Sequence, residues 1–171
     1  YFEKHPKLVN FAVAEASQPG LYLEFGVGRG KSIRWIGAAT DRPVYGFDSF
    51  DGIPEYWNGN PVGAFAQRKL PSVPDNVSFE IGLFGDTLPP FLEKHREPVS
   101  FLHVDCDLYS STVTIFAALG SRLQEGAIVL FDEYYNFPRW REHEFKAFQE
   151  YVRASGVEYE YIAWSATGQQ V

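Results

Sequence analysis

Short apolar segments alternate with amphipathic segments along most of the chain. The apolar segments predict strands over residues 21–25, 43–47, 77–82, 98–104, 127–131 and 157–164, with a truncated seventh beginning at 169–171. The amphipathic segments predict helices over residues 3–17, 31–39, 87–94, 110–123 and 141–154. Strands that alternate with helices form a parallel sheet with helices on both faces. The sequence therefore predicts one α/β domain over residues 1–171, with a doubly wound, mostly parallel sheet of seven strands.

Residues 50–76 interrupt this alternation with a segment rich in glycine, proline and asparagine. The only helical pattern inside it is a short one over residues 64–70. A loop of this length within a single domain is commonly functional. We therefore expect residues 50–76 to form a lid over a binding site.

The composition argues against some classes of partner and favours one cellular location. The chain has 22 acidic and 15 basic residues, a formal net charge of −7. An acidic surface repels phosphate backbones, so we expect no nucleic-acid partner. The apolar runs are far shorter than the roughly 20 residues of a membrane helix, so we expect no membrane partner. The single cysteine favours a cytoplasmic setting, and the lack of methionine favours a fragment of a longer protein.

Acidic residues stand at the carboxyl ends of most predicted strands, where doubly wound sheets bind their ligands. The residues at these ends are Glu24, Asp48, Gly82, Asp105 and Asp132. Asp107 and Glu133 lie next to the last two. Clustered carboxylates without adjacent histidine or cysteine ligands suit a hard cation such as magnesium or calcium.

Residues 26–30 contain three alternate glycines between a predicted strand and a predicted helix. A Walker A motif would need glycine where this chain has Phe25, and a dinucleotide fingerprint would need glycine in place of Lys31. S-adenosylmethionine is cationic and has no phosphate, so it suits the flanking Glu24 and Asp48. An ATPase, an NAD(P)-dependent oxidoreductase and a plain structural turn remain the alternatives at this point.

Several segments resemble the class I S-adenosylmethionine-dependent methyltransferases, and more narrowly the macrocin O-methyltransferase-like family, which methylates sugar hydroxyls of natural products. These segments are 24–32 (EFGVGRGKS), 46–55 (GFDSFDGIPE), 82–89 (GLFGDTLP), 103–112 (HVDCDLYSST) and, more loosely, 129–134 (VLFDEY). The similarity extends from residue 21 to about residue 153. It implies a Rossmann-like fold.

The resemblance also implies roles for individual residues. The implied S-adenosylmethionine ligands are Glu24, Gly26, Gly28, Ser32, Asp48, Ser49, Leu83, Phe84 and Asp105. The implied magnesium ligands are Asp105, Asp132 and Glu133. The implied catalytic residues are Asp107, as general base, and Asp105.

These implications together predict O-methylation of a small-molecule hydroxyl, on a sugar or natural-product-like acceptor, with magnesium assistance. The alternative is a non-catalytic domain that binds a cofactor or a partner. Two departures from the family pattern favour that alternative: Glu133 replaces the usual second aspartate, and only 23 residues precede Glu24. The sequence leaves a homo-oligomer open.

Some residues near the predicted site also have a purely structural interpretation. His103 lies in an apolar strand and is expected to be a core residue. Cys106 lies between two acids, which should raise the pKa of its thiol and exclude a nucleophilic role. Asp107 could instead cap the helix that follows it. Trp57 and Trp140 could line an acceptor pocket or cover the core.

Overall fold

A five-stranded parallel sheet forms the centre of the protein in a computed structural model that describes residues 1–171. The strands are β1 (Leu21–Phe25), β2 (Val44–Asp48), β3 (Val77–Ile81), β4 (Val99–Val104) and β5 (Leu123–Phe131). Their order across the sheet is β3-β2-β1-β4-β5. The central strands β1 and β4 are buried along their whole length, as expected for strands with both faces covered.

Helices cover both faces of this sheet. They are α1 (His5–Glu15), α2 (Lys31–Ala38), α3 (Phe84–Lys94), α4 (Tyr109–Leu119) and α5 (Glu144–Ser155), with 3₁₀ turns at Gly120–Arg122 and Trp140–Glu142. Val9 of α1 and Ile36 of α2 belong to one buried cluster. Phe91 of α3, Ile115 of α4 and Phe148 of α5 belong to another. The predicted Rossmann-like arrangement is therefore confirmed.

The strand count differs from the prediction, because the sheet has five strands rather than seven. The predicted sixth strand, residues 157–164, does not pair with the sheet. Alternating polarity describes the two faces of a strand but does not supply a hydrogen-bonded neighbour. Of residues 169–171, Val171 exchanges two backbone hydrogen bonds with Phe131 of β5.

Helix α3 begins at Phe84, three residues before the predicted start at Thr87. We expected Pro89 and Pro90 to begin this helix, because proline is common in the first turn. They lie inside the helix instead. The backbone N–H groups of Asp86 and Thr87 bond the Leu83 carbonyl, so the first turn forms before the prolines.

The 50–76 loop has no helix at residues 64–70, contrary to the prediction. Backbone hydrogen bonds instead fold it back on itself. Ile53 N–H donates to Ala64 O, Gly63 N–H to Ile53 O, and Gln67 N–H to Phe50 O. These hydrogen bonds hold the loop in a conformation in which residues of 52–57 and 65–67 line the cavity at the carboxyl ends of the strands.

Candidate functional site

A cavity of about 1040 Å³ opens at the carboxyl ends of the strands. It lies at the junction of β1 and β4, where the strand order reverses and doubly wound sheets bind ligands. Its lining comes from the glycine loop, the end of β2, the start of α3, the ends of β4 and β5, and the 50–76 loop. The position of this cavity agrees with the expectation drawn from the sequence.

The glycine loop follows β1 and shapes one wall of the cavity. Gly26 has φ +92°, and a Cβ on it would lie 1.7 Å from the carbonyl oxygen of Asp105. Only glycine therefore allows the loop to pack this closely on β4. A Cβ on Gly28 would meet no atom within 4 Å. The loop is thus tightly held at Gly26 and open toward the cavity at Gly28.

Asp48, at the end of β2, holds the glycine loop through its carboxylate. Oδ2 accepts hydrogen bonds from Val27 N at 2.8 Å and Gly28 N at 2.7 Å. Oδ1 accepts one from Phe50 N at 2.7 Å. Backbone donors thus satisfy both oxygens, although the side chain still lines the cavity.

Other predicted cofactor residues also line this part of the cavity. Ser32, Ser49, Leu83 and Phe84 are all in the lining. The Leu83 side chain is half-exposed, and the Phe84 ring packs edge-on against Phe25 at 5.0 Å between centroids. The roles predicted for these residues stay predictions, but the fold brings their positions together.

Glu24 lies elsewhere: it is fully buried and does not line the cavity. Its neighbour across the β1–β4 pair is His103, whose Nδ1 lies 2.8 Å from Glu24 Oε1. Burial raises the pKa of Glu24, and the hydrogen bond to His103 opposes that shift. His103 is therefore the core residue that we expected, and contact of Glu24 with a cofactor stays a prediction.

Three carboxylates meet at the ends of β4 and β5, and we call Asp105, Asp132 and Glu133 the acidic cluster. One oxygen of each lies within 4.8 Å of the others. Burial, followed by repulsion from Asp132, raises the pKa of both Asp105 and Glu133 well above its ordinary value. No lysine or arginine forms an ion pair with the cluster. A bound cation would relieve the repulsion between these groups.

Asp107 lies beside the acidic cluster and also lines the cavity. Its backbone has φ +64°, a left-handed conformation that aspartate adopts more readily than most residues. Burial, with a smaller effect of Asp132, raises the pKa of Asp107 to about 7. Helix α4 has no side-chain cap, so Asp107 does not serve as one.

Several groups that the sequence did not indicate contact the acidic cluster. Glu144, at the start of α5, is fully buried and accepts a hydrogen bond from Glu133 N at 3.1 Å. His5 Nε2 and Gln170 Nε2 lie 3.2 and 3.0 Å from Asp132 Oδ1. An acidic residue in the first turn of a helix is common in any protein, so the sequence held no specific signal for Glu144.

Trp57, Trp140 and Cys106 lie in different surroundings. Trp57 lines the cavity, whereas Trp140 lies outside its lining and packs against Phe145 at 4.8 Å between ring centroids. Cys106 is buried, and burial raises the pKa of its thiol well above the ordinary value, as expected. No helix is both long and apolar enough to cross a membrane.

Comparisons with solved structures show the same fold in O-methyltransferases. Calicheamicin methyltransferase CalS11 is 22% identical over 97% of this chain and 77% of that chain, with a TM-score of 0.77. The O-methyltransferase NovP is 23% identical over 96% and 77%, with a TM-score of 0.74. An O-methyltransferase from Bacillus cereus in complex with SAH is 18% identical over 88% and 70%, with a TM-score of 0.55.

No curated protein matches the chain significantly. A protein-family model does match the chain and identifies its family. The model describes a methyltransferase domain and matches residues 23–134. This match includes the glycine loop, Asp48 and the acidic cluster. Because it spans more than half of the sequence, the chain belongs to this methyltransferase domain family, whose cofactor is S-adenosylmethionine.

Proposed function

We propose that the protein transfers a methyl group from S-adenosylmethionine to a hydroxyl oxygen of a small molecule. The acceptor is a sugar or a natural-product-like compound, as in the macrocin O-methyltransferase-like family. The main support is one continuous cavity that joins Asp48 and the glycine loop to Asp105, Asp107 and Glu133. Its volume, about 1040 Å³, reaches the upper end of small-molecule sites, about 300–1,000 Å³, and leaves room for cofactor and acceptor together.

The cofactor half of the cavity fits S-adenosylmethionine in shape and charge. The open position at Gly28 and the nearby Ser32 suit its amino acid end. Asp48 suits the ribose hydroxyls, because a carboxylate held by backbone donors is already oriented to accept further hydrogen bonds. Leu83 offers an exposed apolar side chain against which adenine can pack.

The acidic cluster fits a magnesium ion, because three converging carboxylates without a lysine or arginine partner are a hard-oxygen donor set. Asp105, Asp132 and Glu133 would hold the ion. When bound, it would lower the pKa of the acceptor hydroxyl and orient it. Asp105 and Glu133 line the β4–β5 side of the cavity, opposite β2, whereas Asp132 is outside the lining. The acceptor would therefore lie between Asp105 and Glu133 and the cofactor.

Asp107 is suited to remove the proton of the acceptor hydroxyl. A general base works best when its pKa lies near the operating pH, and the pKa of Asp107 is about 7. The carboxylate accepts the hydroxyl proton while the acceptor oxygen forms its bond to the methyl carbon and the carbon–sulfur bond breaks. Alignment of oxygen, methyl carbon and sulfur is supplied by the two sides of the cavity.

Calorimetric titration of the protein with S-adenosylhomocysteine tests this proposal, with magnesium-ATP and NADP as controls. We expect binding of S-adenosylhomocysteine alone, followed by methyl transfer in a screen of hydroxylated acceptors with and without magnesium. Binding without any transfer would favour the non-catalytic alternative. Binding of NADP instead would favour an oxidoreductase and overturn the proposal.

A further inference from the structure

A second group of potential ligands shares Asp132 with the acidic cluster. His5 of α1, His103 of β4 and Asp132 each place one ligand atom within 4.8 Å of the others. His5 Nε2 lies 3.2 Å from Asp132 Oδ1, and the two imidazole rings are 6.3 Å apart between centroids. Three elements that are distant in sequence therefore converge on one point.

Two imidazole nitrogens at this point are buried and make no hydrogen bond, Nε2 of His103 and Nε2 of His5. The nearest acceptor to Nε2 of His5 is Asp132 Oδ1 at 3.2 Å, but this contact does not have hydrogen-bond geometry. His103 as a whole is fully buried. A buried polar atom without a partner is destabilising, so these two nitrogens indicate an additional partner between them.

The surrounding groups orient these side chains as they do around bound metals. Nδ1 of His103 lies 2.8 Å from Glu24 Oε1. In the tautomer in which Nδ1 donates to the Glu24 carboxylate, the lone pair of the imidazole is on Nε2. Gln170 Nε2 donates to Asp132 Oδ1 at 3.0 Å. A carboxylate behind a histidine is the usual support of a metal-bound imidazole.

We propose that His5, His103 and Asp132 form a binding site for a transition-metal ion of the zinc class. Two imidazoles with one carboxylate are a common zinc donor set, whereas magnesium prefers oxygen ligands alone. The site is distinct from the proposed magnesium ligands Asp105 and Glu133, although Asp132 belongs to both. Its ion would tie α1 to the ends of β4 and β5 and hold Asp132 in place.

Competition between tag-free protein and a chromophoric chelator for Zn²⁺ tests the site, in excess Mg²⁺ to fill oxygen-only sites. We expect one Zn²⁺ per chain, and a loss of affinity of more than about 100-fold in His5→Gln. Glu24→Gln should weaken binding by roughly 10- to 100-fold, as supporting carboxylates do. The control is His95→Gln, because His95 packs against Phe91, away from the cluster.

Absence of stoichiometric Zn²⁺ binding would overturn the proposal. So would equal Zn²⁺ affinity in His5→Gln and His95→Gln. Thermal unfolding of each variant shows whether it is folded. His5 is the main test position because it is only partly buried, whereas a change at the fully buried His103 endangers folding.

Fluorescence of Trp35 gives an independent measurement of where the metal ion binds. The Trp35 ring lies 5.4 Å from that of His5, so Co²⁺ bound at this site should quench its emission. We expect the quenching to disappear in Trp35→Phe and in His5→Gln. Quenching that survives in His5→Gln would place the ion elsewhere. Titration of the same samples with S-adenosylhomocysteine keeps this inference separate from the proposed function, because neither binding event requires the other.

Discussion

The carboxylates on the two sides of the cavity differ in their hydrogen bonding. On the β2 side, Asp48 accepts three backbone hydrogen bonds that satisfy both of its oxygens. On the β4–β5 side, the acidic cluster has no lysine or arginine partner, and burial together with repulsion from Asp132 raises the pKa of Asp105 and of Glu133. The carboxylate on the β2 side is therefore fully hydrogen-bonded without a ligand. In the acidic cluster Gln170 donates one hydrogen bond to Asp132, and protons or a cation would supply the remaining stabilisation.

This difference suits two separate roles in a transferase, cofactor binding on one side of the cavity and catalysis on the other. A satisfied and oriented carboxylate can bind a cofactor without rearrangement, which favours tight binding. Carboxylates with raised pKa values can bind a cation or accept a proton during the reaction. Changes on the β2 side should therefore affect cofactor affinity, and changes on the β4–β5 side should affect turnover.

Asp107→Asn is expected to have the largest effect of the single changes. Loss of a general base lowers kcat by about 10²- to 10⁴-fold, and asparagine keeps the left-handed backbone at this position. Affinity for S-adenosylhomocysteine should stay near that of the wild type, by calorimetry. Asp75→Asn, on the exposed surface, is the control. Unchanged kcat would exclude Asp107 as the base.

Asp48→Asn should have the reverse signature. It removes the charge that three backbone N–H groups bind, and bonds to charged groups contribute about 1.5–3 kcal/mol each. We expect affinity for S-adenosylhomocysteine to fall by roughly 10- to 100-fold. The exposed Asp41→Asn serves as control. Equal affinities in the two variants would remove Asp48 from the cofactor site.

Alanine at Gly26 and at Gly28 should separate structure from binding within the glycine loop. In Gly26→Ala the new Cβ clashes with the Asp105 carbonyl, so the unfolding free energy should fall by about 2 kcal/mol or more. In Gly28→Ala the Cβ meets no atom, so stability should fall by only about 1 kcal/mol. Cofactor affinity should nevertheless fall, because the methyl group enters the cavity. Thermal melts and calorimetry measure both, and equal loss of stability would contradict the geometry.

The smallest expected effect is a pH-dependent stabilisation by magnesium. The folded protein raises the pKa of Asp107 to about 7 from an ordinary value of 3.8 and raises those of Asp105 and Glu133 in the same direction. The folded state therefore binds more protons, and these groups stabilise it less as pH rises from about 4 to about 7. Mg²⁺ should raise Tm at pH 8 and hardly change it at pH 5. An equal shift at both pH values would contradict a carboxylate site.

The sequence correctly predicted the elements whose limits depend only on neighbouring residues. β1 has the predicted limits, Leu21–Phe25, because an apolar run is bounded by glycines on both sides. The acidic strand ends were likewise visible, since parallel strands all end at one edge of the sheet.

Features that depend on distant contacts were not predictable in the same way. His5 and Gln170 reach Asp132 from opposite ends of the chain, and no spacing pattern connects them. The burial of Glu24 depends on its register with His103 across β1 and β4. Residues 157–164 do not pair with the sheet, which shows that alternation of polarity alone does not determine strand pairing.

A crystal structure with S-adenosylhomocysteine and Mn²⁺, a substitute for Mg²⁺ with a strong anomalous signal, would test the central claim most directly. We expect the nucleoside along the glycine loop, with its ribose at Asp48. We expect one anomalous peak among Asp105, Asp132 and Glu133. A nucleoside bound away from the glycine loop, or an empty acidic cluster at saturating Mn²⁺, would contradict the account.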